Sequence, residues 1–318
     1  MQTIIIKCLN FVIILCTLFL HVSRQSYASR ATMNKGPIPE LFILDFDGTI
    51  TQNDTSNVIL KSAVAVQNEK GRNMTRVWAD ILIKYSYDYH THIHSYMPRE
   101  DWRIDVEQEI QFYRSFKEVE EQSFNRISDS GIFAGINETK WEELGSQAVE
   151  NGEVVLREGF ENFVGRVNKA KAMWSVISVS FSRAFIKGVL SSSAGPMSSI
   201  SITANQPNKD GILKGPWGVV MTNSDQKMAA VMDLMTTREG PFHGRLVYIG
   251  DSGTDIECLL AGDVIGVIMS EDAQGSLVRK MRRIGYMTLH IREYKYALPK
   301  TVYWARNFVE IVQSPLLS

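Results

Sequence analysis

Residues 41–54, LFILDFDGTITQND, restrict this chain more than any other stretch. Four consecutive apolar residues suit a short strand buried on both faces, as in a parallel sheet. The run stops abruptly at Asp45, Asp47 and Gly48. In an open α/β sheet ligands bind beyond the carboxyl ends of the strands. The two carboxylates are therefore expected at that edge, outside the core.

The pattern on either side divides the chain. Residues 55–69, 76–96, 99–126 and 139–150 read as helices, with breaks near Gly71, Pro98 and between Gly131 and Gly135, and no strand is needed among them. After Glu153 strands and helices alternate: helix 160–169, strand 174–179, helix 182–190, strands 200–205 and 247–249, helix 255–261 and strand 264–268. Residues 208–218, with Gly211, Gly215 and Pro216, read as a turn-rich excursion or hairpin, and 298–312 as a closing helix. Short apolar strands alternating with helices predict a doubly wound, Rossmann-like parallel sheet. The expected domains are an α/β core from 37–53 and 152–318, interrupted by a helical block at 54–151.

With 318 residues, 44% apolar and 22% charged, the chain can bury a substantial core. The formal net charge is -1 and no long Lys/Arg run occurs, which gives no surface for tracking a nucleic-acid backbone. Residues 1–28 carry a lysine, an apolar run of about 15 residues and small residues at Ser26 and Ala28, a signal-peptide pattern shorter than a comfortable membrane span. A membrane contact is expected only if that segment is retained. Cysteines occur at positions 8, 16 and 258 alone, so a cleaved chain has no intrachain disulfide. Met33 offers a start without the segment, so secretory and cytoplasmic locations both stay open. Of the sequons at Asn53, Asn73 and Asn137, the first lies in the acidic loop itself. Oligomeric state is not legible.

The acidic loop has partners further along. DFDGT resembles the first motif of the haloacid dehalogenase (HAD) superfamily. Ser178, closing the apolar strand in WSVISVSFSR, matches the second, Lys227 in NSDQKMAAV the third, and GDSGTD at 250–255 the fourth. The resemblance spans roughly residues 40–270, and the helical block is similar to a C1-type cap. It implies a phosphomonoester hydrolase acting on a small organic phosphate with Mg²⁺. Asp45 is then the nucleophile that becomes an aspartyl phosphate, and Asp47 the acid and base. Asp45, the Asp47 carbonyl and Asp251 are the metal ligands, Ser178 and Lys227 the phosphate clamps, and Asp255 an outer support. Such chemistry is mostly positioning and charge neutralisation, which these residue types supply. An acid at Asp47 points away from dehalogenases and transport ATPases, which lack one there. Asp and Gly also favour turns, Asp255 equally suits a helix cap, and Lys227 a solvated helix face.

Within the superfamily the likeness is to the phosphoserine-phosphatase-like branch, including methylthio-sugar phosphate and thiamine monophosphate phosphatases. There DFDGTIT is followed by an acid. Asp54 stands in that place, where phosphoserine phosphatases typically carry Glu, and is a candidate substrate contact. SVSFS also departs from the SGGF of serine-specific members. Aromatics are dense in the helical block, among them Trp78, Tyr85, Tyr89, Phe112 and Phe116, and packing between helices is their expected role over lining a pocket. His90 and His94 share a helix face, but without a third ligand a solvated face is expected rather than zinc. Other readings are a catalytically silent HAD-fold binding protein, for which no motif residue has been lost, and a phosphatase of a terpenoid phosphate.

Overall fold

The computed structural model describes residues 38–191, 200–237, 240–262 and 264–317. The signal-peptide pattern at 1–28 and Met33 lie outside these residues. No helix among the described residues is long and apolar enough to cross a membrane.

Seven strands form one sheet: β1 (Leu41–Leu44), β2 (Met173–Ile177), β3 (Ser201–Thr203), β4 (Leu246–Gly250), β5 (Val264–Met269), β6 (Met287–His290) and β7 (Thr301–Ala305). Their order is β6-β7-β5-β4-β1-β2-β3, and every neighbouring pair is parallel. Successive strand residues point to opposite faces, so the sheet has two cores. Phe42, Leu44, Val176, Val247 and Ile249 face one, which is closed by helices Phe160–Lys169, Arg183–Leu190 and Phe308–Val312. Leu41, Ile43, Ile177, Leu246 and Tyr248 face the other, under helices Ser224–Met235, Ile256–Leu260 and Ser276–Arg283. This is the doubly wound α/β class that the alternating pattern predicts.

The winding reverses beside β1. The chain runs from β1 outward through β2 and β3, then returns to place β4 on β1's other side. Leu44 is in register with Ile249, so Asp45 and Asp251 leave adjacent strands at the reversal. That is the crevice where open sheets of this class take ligands.

Between β1 and β2 the chain is helical: Ser56–Glu69, Thr75–Ser95, Val106–Arg114, Lys117–Ser130 and Glu138–Glu150. It leaves and re-enters the core side by side, through an antiparallel bridge between Thr51 and Leu156 flanked by Gln52 N–H to Val155 O at 2.9 Å and Arg157 N–H to Ile50 O at 2.7 Å. The helix Glu138–Glu150 lies against Arg183–Leu190 at a pair of glycines: a Cβ on Gly145 would come 2.2 Å from the Phe185 carbonyl, and one on Gly188 2.0 Å from that of Glu142. Ion pairs tie the helical block to the opposite layer, Arg114 to Glu257 at 2.5 Å and Arg283 to Glu109 at 2.6 Å.

Two readings of the sequence need correction. The helix expected over 99–126 is three pieces, Glu100–Trp102, Val106–Arg114 and Lys117–Ser130. Asp105 starts the second by accepting a hydrogen bond from Gln108 N–H at 2.8 Å. The closing helix expected over 298–312 is a strand followed by a helix of equal length: Thr301–Ala305 forms β7, inside the sheet between β6 and β5, and only Phe308–Val312 is helical. The run TVYWA is β-branched and aromatic, which favours a pleated strand, and Asn307 accepts from Glu310 N–H at 3.1 Å to open the helix. The turn-rich excursion is the hairpin that its glycines suggest, Gln206–Pro207 pairing antiparallel with Leu213–Lys214. Finally, β6 and helix Ser276–Arg283 have no counterpart in the sequence reading.

Candidate active site

The centre of the site is a buried ion network. Lys227, in the first turn of helix Ser224–Met235, is fully buried, and its Nζ lies 2.7 Å from Asp45 Oδ1 and 2.7 Å from Asp255 Oδ1. Tyr248 on β4 donates its hydroxyl to the same Asp255 oxygen at 2.7 Å. The other Asp255 oxygen accepts from the backbone N–H groups of Asp251 and Ser252 at 3.1 and 3.0 Å and from the Ser252 hydroxyl at 3.1 Å. Every acceptor position on Asp255 is thereby used inside the protein, so the residue shapes the turn and anchors Lys227. Burial opposes the charge on Lys227, but the Asp255 and Asp45 carboxylates outweigh it and hold the ammonium well above its usual range.

One carboxylate oxygen each from Asp45, Asp251 and Asp255 lie within 4.8 Å of one another, the one such acidic cluster among the described residues. Thr49 donates to Asp251 Oδ1 at 3.2 Å. Gly48, with φ of 71°, brings the acidic loop so close that a Cβ there would stand 2.3 Å from Asp251 Oδ2. Burial, then the Asp255 charge, pushes the Asp251 carboxyl up to about 7, and burial with Asp255 and Asp251 raises Asp45 despite Lys227. An acidic cluster with a single ammonium is short of positive charge, and its oxygen-only donors suit a hard divalent cation.

Asp47 points the other way. Its Oδ1 accepts from the backbone N–H and the hydroxyl of Thr55, at 2.7 and 2.6 Å. Burial and the Asp54 carboxylate raise its pKa to about 7 against those hydrogen bonds. It can therefore hold a proton near neutrality, as an acid–base group needs. Asp54 is exposed, accepts from Ser56 N–H at 2.7 Å, and lines the same cavity. Ser178 is buried at the end of β2, and its oxygen accepts from Ser180 N–H at 3.1 Å, which leaves its O–H to donate. The Ser180 hydroxyl is buried, lines the cavity and has no hydrogen-bond partner among the described residues.

The structure thus brings Asp45, Asp47, Asp54, Ser178 and Asp251 to one cavity of about 450 Å³, with Lys227 and Asp255 packed behind them. Its far wall comes from the helical block, through Leu60, Trp78, Ile81, Tyr85, Phe124 and Ile127. Trp78 and Tyr85 therefore line the cavity, whereas Tyr89, Phe112 and Phe116 pack on neighbouring rings and also line an adjoining cavity that shares Tyr85 and Asp54. His94 Nδ1 contacts the His90 carbonyl at 2.6 Å on an exposed face, in keeping with the solvated reading.

Sequence reasoning missed Thr49, Thr55, Tyr248 and Arg157. Arg157 straps the acidic loop, donating to the carbonyls of Gly48 at 2.6 Å and Thr49 at 3.1 Å and to that of Arg306 at 2.9 Å. Thr49 and Thr55 stand within the opening stretch and its flank, so they were findable. Nothing local marks Arg157, whose partners lie far off in the chain, and Tyr248 reads as a core residue of β4 until the fold turns its hydroxyl to Asp255.

No protein-family model matches the chain. Among solved structures it is similar to phosphatases with the HAD fold. A phospho-aspartyl intermediate analogue of phosphoserine phosphatase is 14% identical with a TM-score of 0.47, over 87% of this chain and 98% of that one. Cytosolic 5'-nucleotidase IIIB bound to cytidine is 14% identical with a TM-score of 0.47, over 77% and 78%. In sequence, the chain is similar to the mitochondrial bifunctional TH2 protein of Arabidopsis thaliana, 23% identical over 262 residues, covering 76% of this chain and 40% of that one. It is also similar to a CTO1 family protein of Schizosaccharomyces pombe, 22% identical over 287 residues, covering 85% and 97%. The chain thus spans less than half the length of the Arabidopsis protein.

Proposed function

We propose that this chain is a Mg²⁺-dependent phosphoric monoester hydrolase of the HAD type, acting on a small organic phosphate through an aspartyl-phosphate intermediate. The observation that carries this reading is the convergence at one sheet edge of four sequence segments far apart in the chain: Asp45 with Asp47, Ser178, Lys227, and Asp251 with Asp255.

In this reading the Asp45 carboxylate attacks phosphorus, forming the Asp45 O–P bond as the ester's P–O bond breaks. Asp47 gives its proton to the leaving alkoxide. Asp47 then takes a proton from water as that water attacks phosphorus, which releases inorganic phosphate and restores Asp45. The O–H groups of Ser178 and Ser180 donate to phosphoryl oxygens, and Lys227 fixes Asp45 and offsets accumulating negative charge. Asp45, Asp251 and the Asp47 carbonyl would hold Mg²⁺, which supplies further charge neutralisation on the phosphoryl group. The helical block at 54–151 serves as the cap that encloses the leaving group.

The test is phosphate release from p-nitrophenyl phosphate by the full chain. Turnover with Mg²⁺, silence in EDTA and silence in Asp45→Asn support the reading. Equal turnover in EDTA, or in the variant, overturns it.

A further inference from the structure

The acidic loop after β1 is closed at its base, where Thr51 N–H donates to the Phe46 carbonyl at 3.0 Å and Gly48 N–H to the Thr51 hydroxyl at 3.2 Å. At its tip, two successive carbonyls are taken by one side chain. Arg157 donates from Nη2 to Gly48 O at 2.6 Å and from Nε to Thr49 O at 3.1 Å. Its Nη1 donates to the Arg306 carbonyl at 2.9 Å and to Glu271 Oε1 at 3.3 Å, which ties the loop to the segments that follow β7 and β5. The Arg157 side chain is 10% exposed and that of Glu271 84%, so the carbonyls, not the ion pair, are the firm partners.

The backbone of Arg157 belongs to another part of the molecule. Its N–H donates to the Ile50 carbonyl at 2.7 Å beside the Thr51–Leu156 bridge, where the helical block returns to the core. One residue therefore joins the exit of that block to the two carbonyls directly after Asp47.

The backbone held in this way stands between the groups that face a cation. Asp47 precedes it, and the Thr49 hydroxyl donates to Asp251 Oδ1 at 3.2 Å. Gly48 carries the left-handed turn, with φ of 71°. A shift of Gly48 and Thr49 would displace the Asp47 carbonyl on one side and the support of Asp251 on the other. The hydrogen bonds of Arg157 reach carbonyls and Glu271, so its hold on the site runs through backbone position.

We propose that Arg157 is a positioning residue for the metal site. Its guanidinium fixes Gly48 and Thr49 so that Asp45, the Asp47 carbonyl and Asp251 keep one arrangement suited to a divalent cation, and it links that arrangement to the hinge of the helical block. The link is reciprocal: a cation that steadies the loop steadies the hinge. The proposal rests on the phosphatase reading for what the metal does, and its test is metal binding itself.

The experiment titrates Mg²⁺ calorimetrically into the metal-free full chain. Arg157→Ala should raise the Mg²⁺ Kd about ten-fold or more. Arg157→Lys keeps the charge but replaces the planar fork by a point donor, and should raise it about three-fold or more. Glu271→Gln should leave it within about two-fold. Mg²⁺ should slow hydrogen exchange in the hinge segments 50–53 and 155–158 about five-fold or more, and Arg157→Lys should abolish that protection. A residue that only staples the fold would lower Tm in these variants and leave both readouts unchanged. If Arg157→Ala does not fold, Arg157→Lys decides. An unchanged Kd in the folded variants, or hinge protection indifferent to them, overturns the proposal. Mg²⁺ binding to the unaltered chain without turnover of p-nitrophenyl phosphate defeats the phosphatase reading alone, and no Mg²⁺ binding defeats both.

Discussion

The Lys227 ammonium stands 2.7 Å from the Asp45 carboxylate, and both side chains are buried. Removing it leaves Asp45, Asp251 and Asp255 crowded together without an internal cation. Lys227→Met should therefore lower kcat roughly 10²- to 10³-fold and destabilise the metal-free protein by about 3–5 kcal/mol, read from urea midpoints. A variant with undiminished kcat would take Lys227 out of the reaction.

Gly48 meets two constraints, a left-handed backbone and the close approach of Asp251 Oδ2. Gly48→Ala adds a methyl where that oxygen already sits, so the acidic loop and the β4 loop must separate. The Mg²⁺ concentration giving half-maximal rate should rise about ten-fold or more, with stability falling by about 1–2 kcal/mol. A metal titration superposable on the wild type would contradict this account.

Asp47 is linked to Thr55, not to the Asp45–Lys227 network. Asp47→Asn should cost roughly 10²- to 10⁴-fold with alkyl phosphates. The loss should be smaller with p-nitrophenyl phosphate, whose leaving group needs no proton. Equal losses on both would argue against a proton-donating role.

Burial raises Glu120 from 4.5 to about 7, and Asp251 and Asp47 from 3.8 to about 7. Between the unfolded and folded values the native state binds more protons than the unfolded one. Stability from these groups is therefore complete below about pH 4 and is lost as pH rises through 7. The metal-free protein should show a lower Tm at pH 8 than at pH 5.5, with Glu120 contributing up to about 3 kcal/mol of the difference. Glu120→Gln should flatten the profile, and Mg²⁺ should restore stability most at pH 8. A Tm that climbs from pH 5.5 to 8 without metal would refute the assignment.

Much of the candidate site was legible because its residues sit in short segments directly after apolar strands. Asp45, Ser178 and Asp251 each follow a strand of the central sheet, so pattern and chemistry coincide in the sequence. Thr301–Ala305 shows the opposite case: apolar residues resume just beyond Arg306 and Asn307 in Phe308–Val312, and the combined run masks the β-branched and aromatic signal of a strand that pairs with β5. Helix breaks at Asp105 and Ser115 were obscured because charged residues run through them without a Gly or Pro. Arg157 acts through partners remote in the chain, Tyr248 reads as one more core residue of an apolar strand, and Glu120 is one acid among many on its helix.

The bridge between Thr51 and Leu156 sets the two exits of the helical block beside each other. Excising everything between them leaves chain ends that a short turn can rejoin, with the sheet's register unaltered. Such an arrangement lets the inserted helices be exchanged as one piece while Asp45 and Asp251 keep their places at the sheet edge beneath.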